Sequence, residues 1–330
     1  MNNQEKLKRF LSLFTGNSKV LVVINADPDA IASAMAVKRL LWRKAGEVVI
    51  AHFNRITRPD NLAMIEYTEP GLVDLKTIEK KEFNAFVIID SQPGHNEQFS
   101  GFVFDAVIDH HPLTFADAAP YVDIRSNYGA CATMMTEYLK TRKIKPSAKL
   151  AAALMLGIKT DTADFTRGAS LKDIKAFQYL YQFADNNIVT KVERATLTQE
   201  DLDFLGMAIK HRKVINNRVF FHAGNISKPD ELVVVADFFL TLSKVNWSII
   251  SGIYEEKLII VIRNDGLRKG AGNTAKEAFS AFGSAGGHKT MARAELELKL
   301  VKKQTRTLSK KVIKEWIISV IEKTAGKKIE

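Results

Sequence analysis

At 330 residues, 46% hydrophobic and 26% charged, the chain is composed like a globular protein with room for two cores, which excludes a disordered or fibrous one. Its one cysteine, Cys131, excludes an internal disulfide and a cysteine-cluster metal site, and its net charge of +11 favours polyanionic partners, nucleic acid first. No apolar run approaches a membrane span and residues 1–10 lack a signal-peptide core, so no membrane partner and a cytoplasmic location are expected. In chain order, apolar strand candidates appear at Val20–Ile24, Val48–Phe53, Phe86–Ile89 and Phe104–Ile108. Helical candidates fall at Ala30–Ala45, more weakly at Ala63–Glu66 and Leu75–Lys80, and again at Asn127–Arg142 and Ser147–Leu156. This alternation predicts an α/β fold, a mostly parallel sheet flanked by helices, over residues 1–190 with a helical linker in Leu171–Arg194.

Beyond that linker the texture changes to a smaller α+β domain, residues 191–330, with a cleft expected between the two domains. An amphipathic helix is expected over Thr196–Lys213, followed by the apolar segments Arg218–Ala223, Val233–Leu242, Trp247–Tyr254 and Lys257–Arg263. The last two read as a hairpin around Glu255-Glu256. A glycine-rich segment, Gly266 to Gly287, precedes an alternating strand over Ala292–Leu300 and a final helix over Leu308–Lys323. Ten Lys or Arg against Glu315, Glu322 and Glu330 place +7 within the last 32 residues, a basic patch suited to a polyanion.

Carboxylates gather at the ends of the apolar elements. Asp27 and Asp29 flank Pro28 after the first strand, where a helix cap alone would explain one Asp and the proline. Asp90 follows Phe86–Ile89 in "DSQPGHN", Asp109-His110-His111 follows Phe104–Ile108, and Asp161 and Asp164 stand in "KTDTADF" after Leu150–Ile158. Sheets of this class bind ligands at the carboxyl ends of their strands. Clustered carboxylates repel unless positive charge compensates them, and an oxygen-rich Asp/His set suits Mn²⁺ or Mg²⁺ ahead of Zn²⁺. Two such ions bridged by a carboxylate suit in-line attack at phosphorus, which makes phosphoester hydrolysis the natural reaction class.

The ordered motifs "DPDA", "DSQPG", "DHHP" and "TDTADF" resemble the four motifs of the DHH phosphoesterase superfamily, and "GSAGGHKTMARAEL" resembles the signature of its associated C-terminal domain. The chain is most similar to the nanoRNase and pAp-phosphatase branch, with RecJ-type exonucleases more distant. The resemblance implies Asp27 on one Mn²⁺, with Asp29, His110 and Asp161 on the other and Asp90 bridging both. It also implies that His111 faces the substrate phosphate, while Asp109 supports the His pair from behind. Cys131, at a helix start where relatives carry small hydroxyl residues, is not needed as a nucleophile. Many relatives have a metal-binding His four residues before the first Asp; Val23 stands there, leaving the Asn25 amide or water to complete the first ion.

In "GSAGGHKT", Gly286 and Gly287 would let backbone N–H groups cradle an anion, with His288 and Lys289 meeting phosphate or a sugar edge. Arg263 is a bidentate phosphate contact by this reading, and Arg268 and Lys269 are weaker candidates. His52, His95, His211 and His222 read as ordinary core or surface histidines. The expected function is a metal-dependent phosphodiesterase or exonuclease on short single-stranded oligonucleotides or pAp-like nucleotides, compatible with a homodimer. Alternatives are a cyclic-dinucleotide phosphodiesterase and a nucleic-acid or nucleotide binder with an impaired metal site; inorganic pyrophosphatase is disfavoured by the C-terminal motif.

Overall fold

The computed structural model describes residues 2–114, 119–195, 197–267 and 269–326. The chain divides into two compact units, Met1–Thr196 and Leu197–Glu330. The first unit begins α1 (Asn3–Ser12), β1 (Lys19–Ile24), α2 (Pro28–Leu40), β2 (Glu47–His52), α3 (Pro59–Thr68) and β3 (Leu72–Asp74). It continues β4 (Ala85–Ile89), β5 (Ala106–Asp109), β6 (Tyr121–Ile124), α4 (Cys131–Thr141), α5 (Ala148–Asp161), α6 (Leu171–Tyr181) and α7 (Asn186–Arg194). Its six strands are all parallel, in the order β3-β2-β1-β4-β5-β6.

Both faces of this sheet are covered, which is why β1 carries five consecutive buried residues after Lys19 rather than an alternating pattern. Val20, Val22 and Ile24 face the helical core with α2, α4 and α5, whereas Leu21 and Val23 face a smaller core with Ile88, Phe99 and Phe104. Helix α2 starts as its sequence dictates: Asp27 is the N-cap, accepting from the Ala30 N–H, and Pro28 occupies the first turn. It ends at Leu40, short of the expected Ala45, because Arg43 takes a left-handed conformation (φ 60°) that turns the chain toward β2.

The second unit contains α8 (Gln199–His211), β7 (Lys213–Ile215), β8 (Arg218–Asn225), α9 (Asp230–Leu240), β9 (Trp247–Tyr254) and β10 (Lys257–Asn264). It ends with α10 (Ala271–Phe279), β11 (Gly283–Gly287), β12 (Met291–Glu297), α11 (Leu298–Thr305) and α12 (Lys310–Gly326). The sheet order is β11-β12-β10-β9-β8-β7, antiparallel except for the β8–β9 pair, which α9 connects. The hairpin around Glu255-Glu256 is present, both residues being left-handed (φ 45° and 60°), as a tight hairpin turn requires.

The glycine-rich segment Gly266 to Gly287 contains α10 and the strand β11. A Cβ on Gly272 would collide with the Gly287 carbonyl, so the glycines serve the close approach of helix to strand. The strand expected over Ala292–Leu300 stops at Glu297, because Leu298 and the buried Val301 share one face of α11 at a spacing of three. Arg268, Lys327, Lys328 and Glu330 lie outside the described residues.

Candidate metal centre

In the first unit the strand order reverses at β1 and β4, the crevice where sheets of this kind collect ligands. Asp27 and Asp29 follow β1, Asp90 follows β4, Asp109 ends β5 with His110 and His111 next, and Asp161 closes α5. Asp29 is fully buried. Its two oxygens accept from the backbone N–H groups of Cys131 (2.6 Å) and Ala132 (2.7 Å), so the carboxylate sits on the positive end of α4. Helix α5 comes close enough through Gly157 that a Cβ there would lie 3.0 Å from Asp29 Cα. Asp90 is buried and left-handed (φ 59°), its N–H bonded to Ile108 O at 2.8 Å.

Asp29, Asp90, His110 and Asp161 each bring one ligand atom into a group within 4.8 Å of one another. His110 Nε2 lies 3.0 Å from Asp161 Oδ2, 3.4 Å from Asp90 Oδ1 and 3.9 Å from Asp29 Oδ2. Its Nδ1 is 3.2 Å from Tyr128 O, and donating there makes Nε2 the ligand atom once a cation displaces its proton. Both Asp90 Oδ1 and His110 Nε2 are buried without a hydrogen-bond partner. A divalent cation is the group that would satisfy these two atoms together, and the oxygen-rich donor set fits it.

Charge gives the same answer. Burial, then the neighbouring Asp161, raises the Asp29 carboxyl to about 7. Asp90 is pushed well above the usual carboxylate range by burial and by the surrounding aspartates. Burial works against a charged His110, but Asp161 and Asp29 outweigh it and raise the imidazole to about 9. A cluster left this frustrated attracts positive charge.

Beside it, buried Asp109 accepts from His111 Nδ1 (2.9 Å), the His110 N–H (2.9 Å) and Gln92 Nε2 (2.6 Å). The hydrogen bond with His111 raises the imidazole's pKa, and that ring is about half exposed. Gln92 Oε1 in turn accepts from the Thr114 N–H, tying the loop after β5 to the loop after β4. His95, assigned to the core or surface by sequence, packs edge-on to His111 with ring centres 5.7 Å apart and belongs to a group with Asp109 and His111. Its place in "DSQPGHN", five residues after Asp90, was the available signal.

Other expected residues have different surroundings. Among the described residues Asp27 is in no group of three or more ligands; one oxygen caps α2. Val23 points into the core on the opposite face of the sheet from Val22 and Ile24. Asp164 is exposed and pairs with Lys159 at 3.1 Å. Cys131 is buried, and burial with Asp29 and Asp90 raises its thiol, which disfavours the reactive thiolate. In the second unit Arg263 pairs with Asp237 at 2.8 Å. Gly286 and Gly287 lie in β11, paired with β12, rather than in a free loop. The carbonyls of His288 and Lys289 accept from the Gly272 and Ala271 N–H groups (both 2.8 Å), while their side chains are exposed.

Residues 19–158 match the DHH family, N-terminal domain. An uncharacterized protein of Methanocaldococcus jannaschii is 33% identical over 308 residues, 92% of this chain, and the chain spans 63% of that relative's length. Among solved structures, an exopolyphosphatase-related protein from Bacteroides fragilis aligns over 98% of both chains with a TM-score of 0.70 at 16% identity. RecJ from Thermus thermophilus, solved with Mn²⁺, aligns over 98% of this chain and 55% of its own with a TM-score of 0.52 at 12% identity. At these identities the structural likenesses establish a shared fold, while the family match takes in Asp29, Asp90 and His110 and stops short of Asp161. The match to the DHH family, N-terminal domain, thus spans β1 to α5 of the first unit, less than half of the chain.

Proposed function

We propose that the protein is a metal-dependent phosphoesterase that hydrolyses short single-stranded oligonucleotides or pAp-like nucleotides. The observation that carries this reading is the buried group Asp29, Asp90, His110 and Asp161, with two of its atoms lacking any partner. These four residues would hold one divalent ion, Mn²⁺ ahead of Mg²⁺; Asp27 and Asp90 would contribute to a second. Such an ion supplies an activated water near neutral pH and draws charge from the phosphoryl oxygens.

The chain's own groups do the remaining work. Asp109 fixes His111 through Nδ1 and favours its charged form, so Nε2 can donate to a phosphate oxygen or deliver a proton to the departing alkoxide. Gln92 holds Asp109 from the other side and so fixes the imidazole plane. His288 and Lys289 are the proposed phosphate contacts of the second unit; Gly286, Gly287 and Arg263 are weaker, the glycines being strand backbone and the arginine ion-paired. The test is Mn²⁺-dependent release of mononucleotides from a dinucleotide, abolished by Asp90→Ala. Absence of turnover with any divalent metal, across oligonucleotides, pAp and cyclic dinucleotides, overturns it.

One observation favours a second reading, a nucleotide or nucleic-acid binder without hydrolysis. Val23 is committed to the opposite core and Asp27 stands outside the ligand group, which leaves the first ion poorly held. Calorimetry separates the readings, since metal-independent nucleotide binding without turnover supports the binder.

A further inference from the structure

The second unit contains a cavity of about 510 Å³ remote in composition from the carboxylate cluster. Its walls include Lys310, Lys311 and Lys314 from the first turns of α12, His211 from the end of α8, and Phe221 and His222 from β8. Among the described residues no carboxylate pairs with any of the three lysines. Three unneutralised ammonium groups around one cavity repel one another, and the free N–H groups of the α12 amino end add to the positive field.

His222 provides a separate sign that something belongs there. It is only 5% exposed, its Nδ1 is 2.9 Å from Ser251 Oγ on β9, and its Nε2 is buried without a hydrogen-bond partner. Burial, with Lys310 and Lys314, holds its pKa down to about 4, so the ring is neutral near pH 7. The fold also makes room for Lys310. Gly224, at the end of β8, is left-handed (φ 83°), and a Cβ there would overlap Lys310 Cε. The lysine stem therefore lies across the strand only because that position is glycine.

We infer that this cavity is a phosphate-monoester site, taking the phosphate of a nucleotide or of a phosphorylated oligonucleotide end on Lys310, Lys311 and Lys314; His222, whose Nδ1 donates to Ser251 Oγ, leaves Nε2 to accept from a hydroxyl or amino group of the remainder of the ligand. A dianionic phosphate matches clustered lysines at a helix amino end. The volume exceeds the needs of a bare anion and falls in the range of small-ligand sites, while Phe221 gives an apolar wall for the remainder of the ligand. The inference goes beyond the proposed hydrolysis and does not depend on it, because no residue of this cavity belongs to the metal centre.

The test is calorimetry on the full chain in EDTA, which silences the metal centre. AMP, inorganic phosphate, adenosine, and a trinucleotide with and without a 5′-phosphate are the probes. AMP and the phosphorylated trinucleotide are expected to bind, and their unphosphorylated counterparts to bind at least about tenfold more weakly. Preference for the trinucleotide over AMP identifies a strand end as the source, and the reverse identifies a free nucleotide. Lys310→Ala with Lys314→Ala should weaken AMP binding at least about tenfold and flatten its salt dependence. Gly224→Ala should weaken it through Lys310 alone, and circular dichroism checks that each variant folds. Asp90→Asn should leave AMP binding unchanged. Equal binding of AMP and adenosine, no AMP binding, or AMP binding indifferent to the lysine pair overturns the inference.

Discussion

Asp90→Asn should make the metal-free protein more stable while abolishing its response to Mn²⁺. The substitution preserves shape and removes one charge from a group whose ligand atoms lie within 4.8 Å of one another. Two unit charges at that distance repel by about 3.5 kcal/mol at an effective dielectric of about 20. His110, held protonated up to about 9, offsets part of this, which leaves a relief of about 2–3 kcal/mol. Asn also adopts the left-handed backbone of position 90 readily. At about 2–4 °C per kcal/mol for a unit of this size, the melting midpoint in EDTA at alkaline pH should rise by about 4–12 °C. Added Mn²⁺ should then raise the wild-type midpoint by binding the folded state, and leave the variant's nearly unmoved. The same reasoning fixes a pH dependence. With Asp29 raised to about 7, the folded metal-free state binds more protons than the unfolded one between the ordinary carboxylate value and that point. Stability without metal should therefore fall as pH rises through this window, by up to about 1.4 kcal/mol per unit. A midpoint in EDTA that is unchanged or lower in the variant, or an Mn²⁺ shift equal to wild type, refutes the reasoning.

Arg125→Ala should cost about 3–5 kcal/mol by urea titration, because buried Arg125 holds Asp123 (2.7 Å), Glu137 (2.9 Å) and the Tyr128 hydroxyl (3.1 Å). The Asp123 carboxyl resists burial, but Arg125 holds its pKa below the ordinary value, so its contribution is present above that value and lost as pH falls below it. Asp123→Asn should accordingly flatten the acid limb of a stability profile. Asp109→Asn should lower kcat about 10–100-fold and move the alkaline limb of the pH–rate profile toward the ordinary imidazole value of 6.5, with the Mn²⁺ melting shift retained. Gly157→Ala forces a methyl to within 3.1 Å of Asp29 Oδ1; about 1–3 kcal/mol of stability should be lost and Mn²⁺ affinity reduced, read from melting with and without metal.

What the sequence made legible was whatever depended on short-range pattern. Buried parallel strands read as unbroken apolar runs, and the polar residues just beyond β1, β4 and β5 fell where such a sheet binds ligands. Contacts made across long stretches of chain were not legible. His95 looked ordinary because its partner, His111, comes from another strand end. His222 looked ordinary because the lysines around it arrive almost ninety residues later, on α12. The structure within Gly266–Gly287 was not legible for a related reason: its glycines answer to the packing of α10 on β11, a demand invisible without the partner. Val233–Leu242 was apolar on too many sides for periodicity to assign it, and it forms much of the helix α9.

Asp29 has two employers. Its oxygens hold the amino end of α4 whether or not an ion is present, so a chain that had lost all chemistry would still keep this carboxylate for folding. The "DPDA" motif is consequently a poor witness to activity. Asp90 and Asp161 testify better: among the described residues neither carboxylate accepts a hydrogen bond from outside the cluster, and Asp90 bears a strained backbone besides. A survey asking which such chains keep a metal centre should look first at these two positions, where among the described residues nothing outside the cluster has a use for the charge.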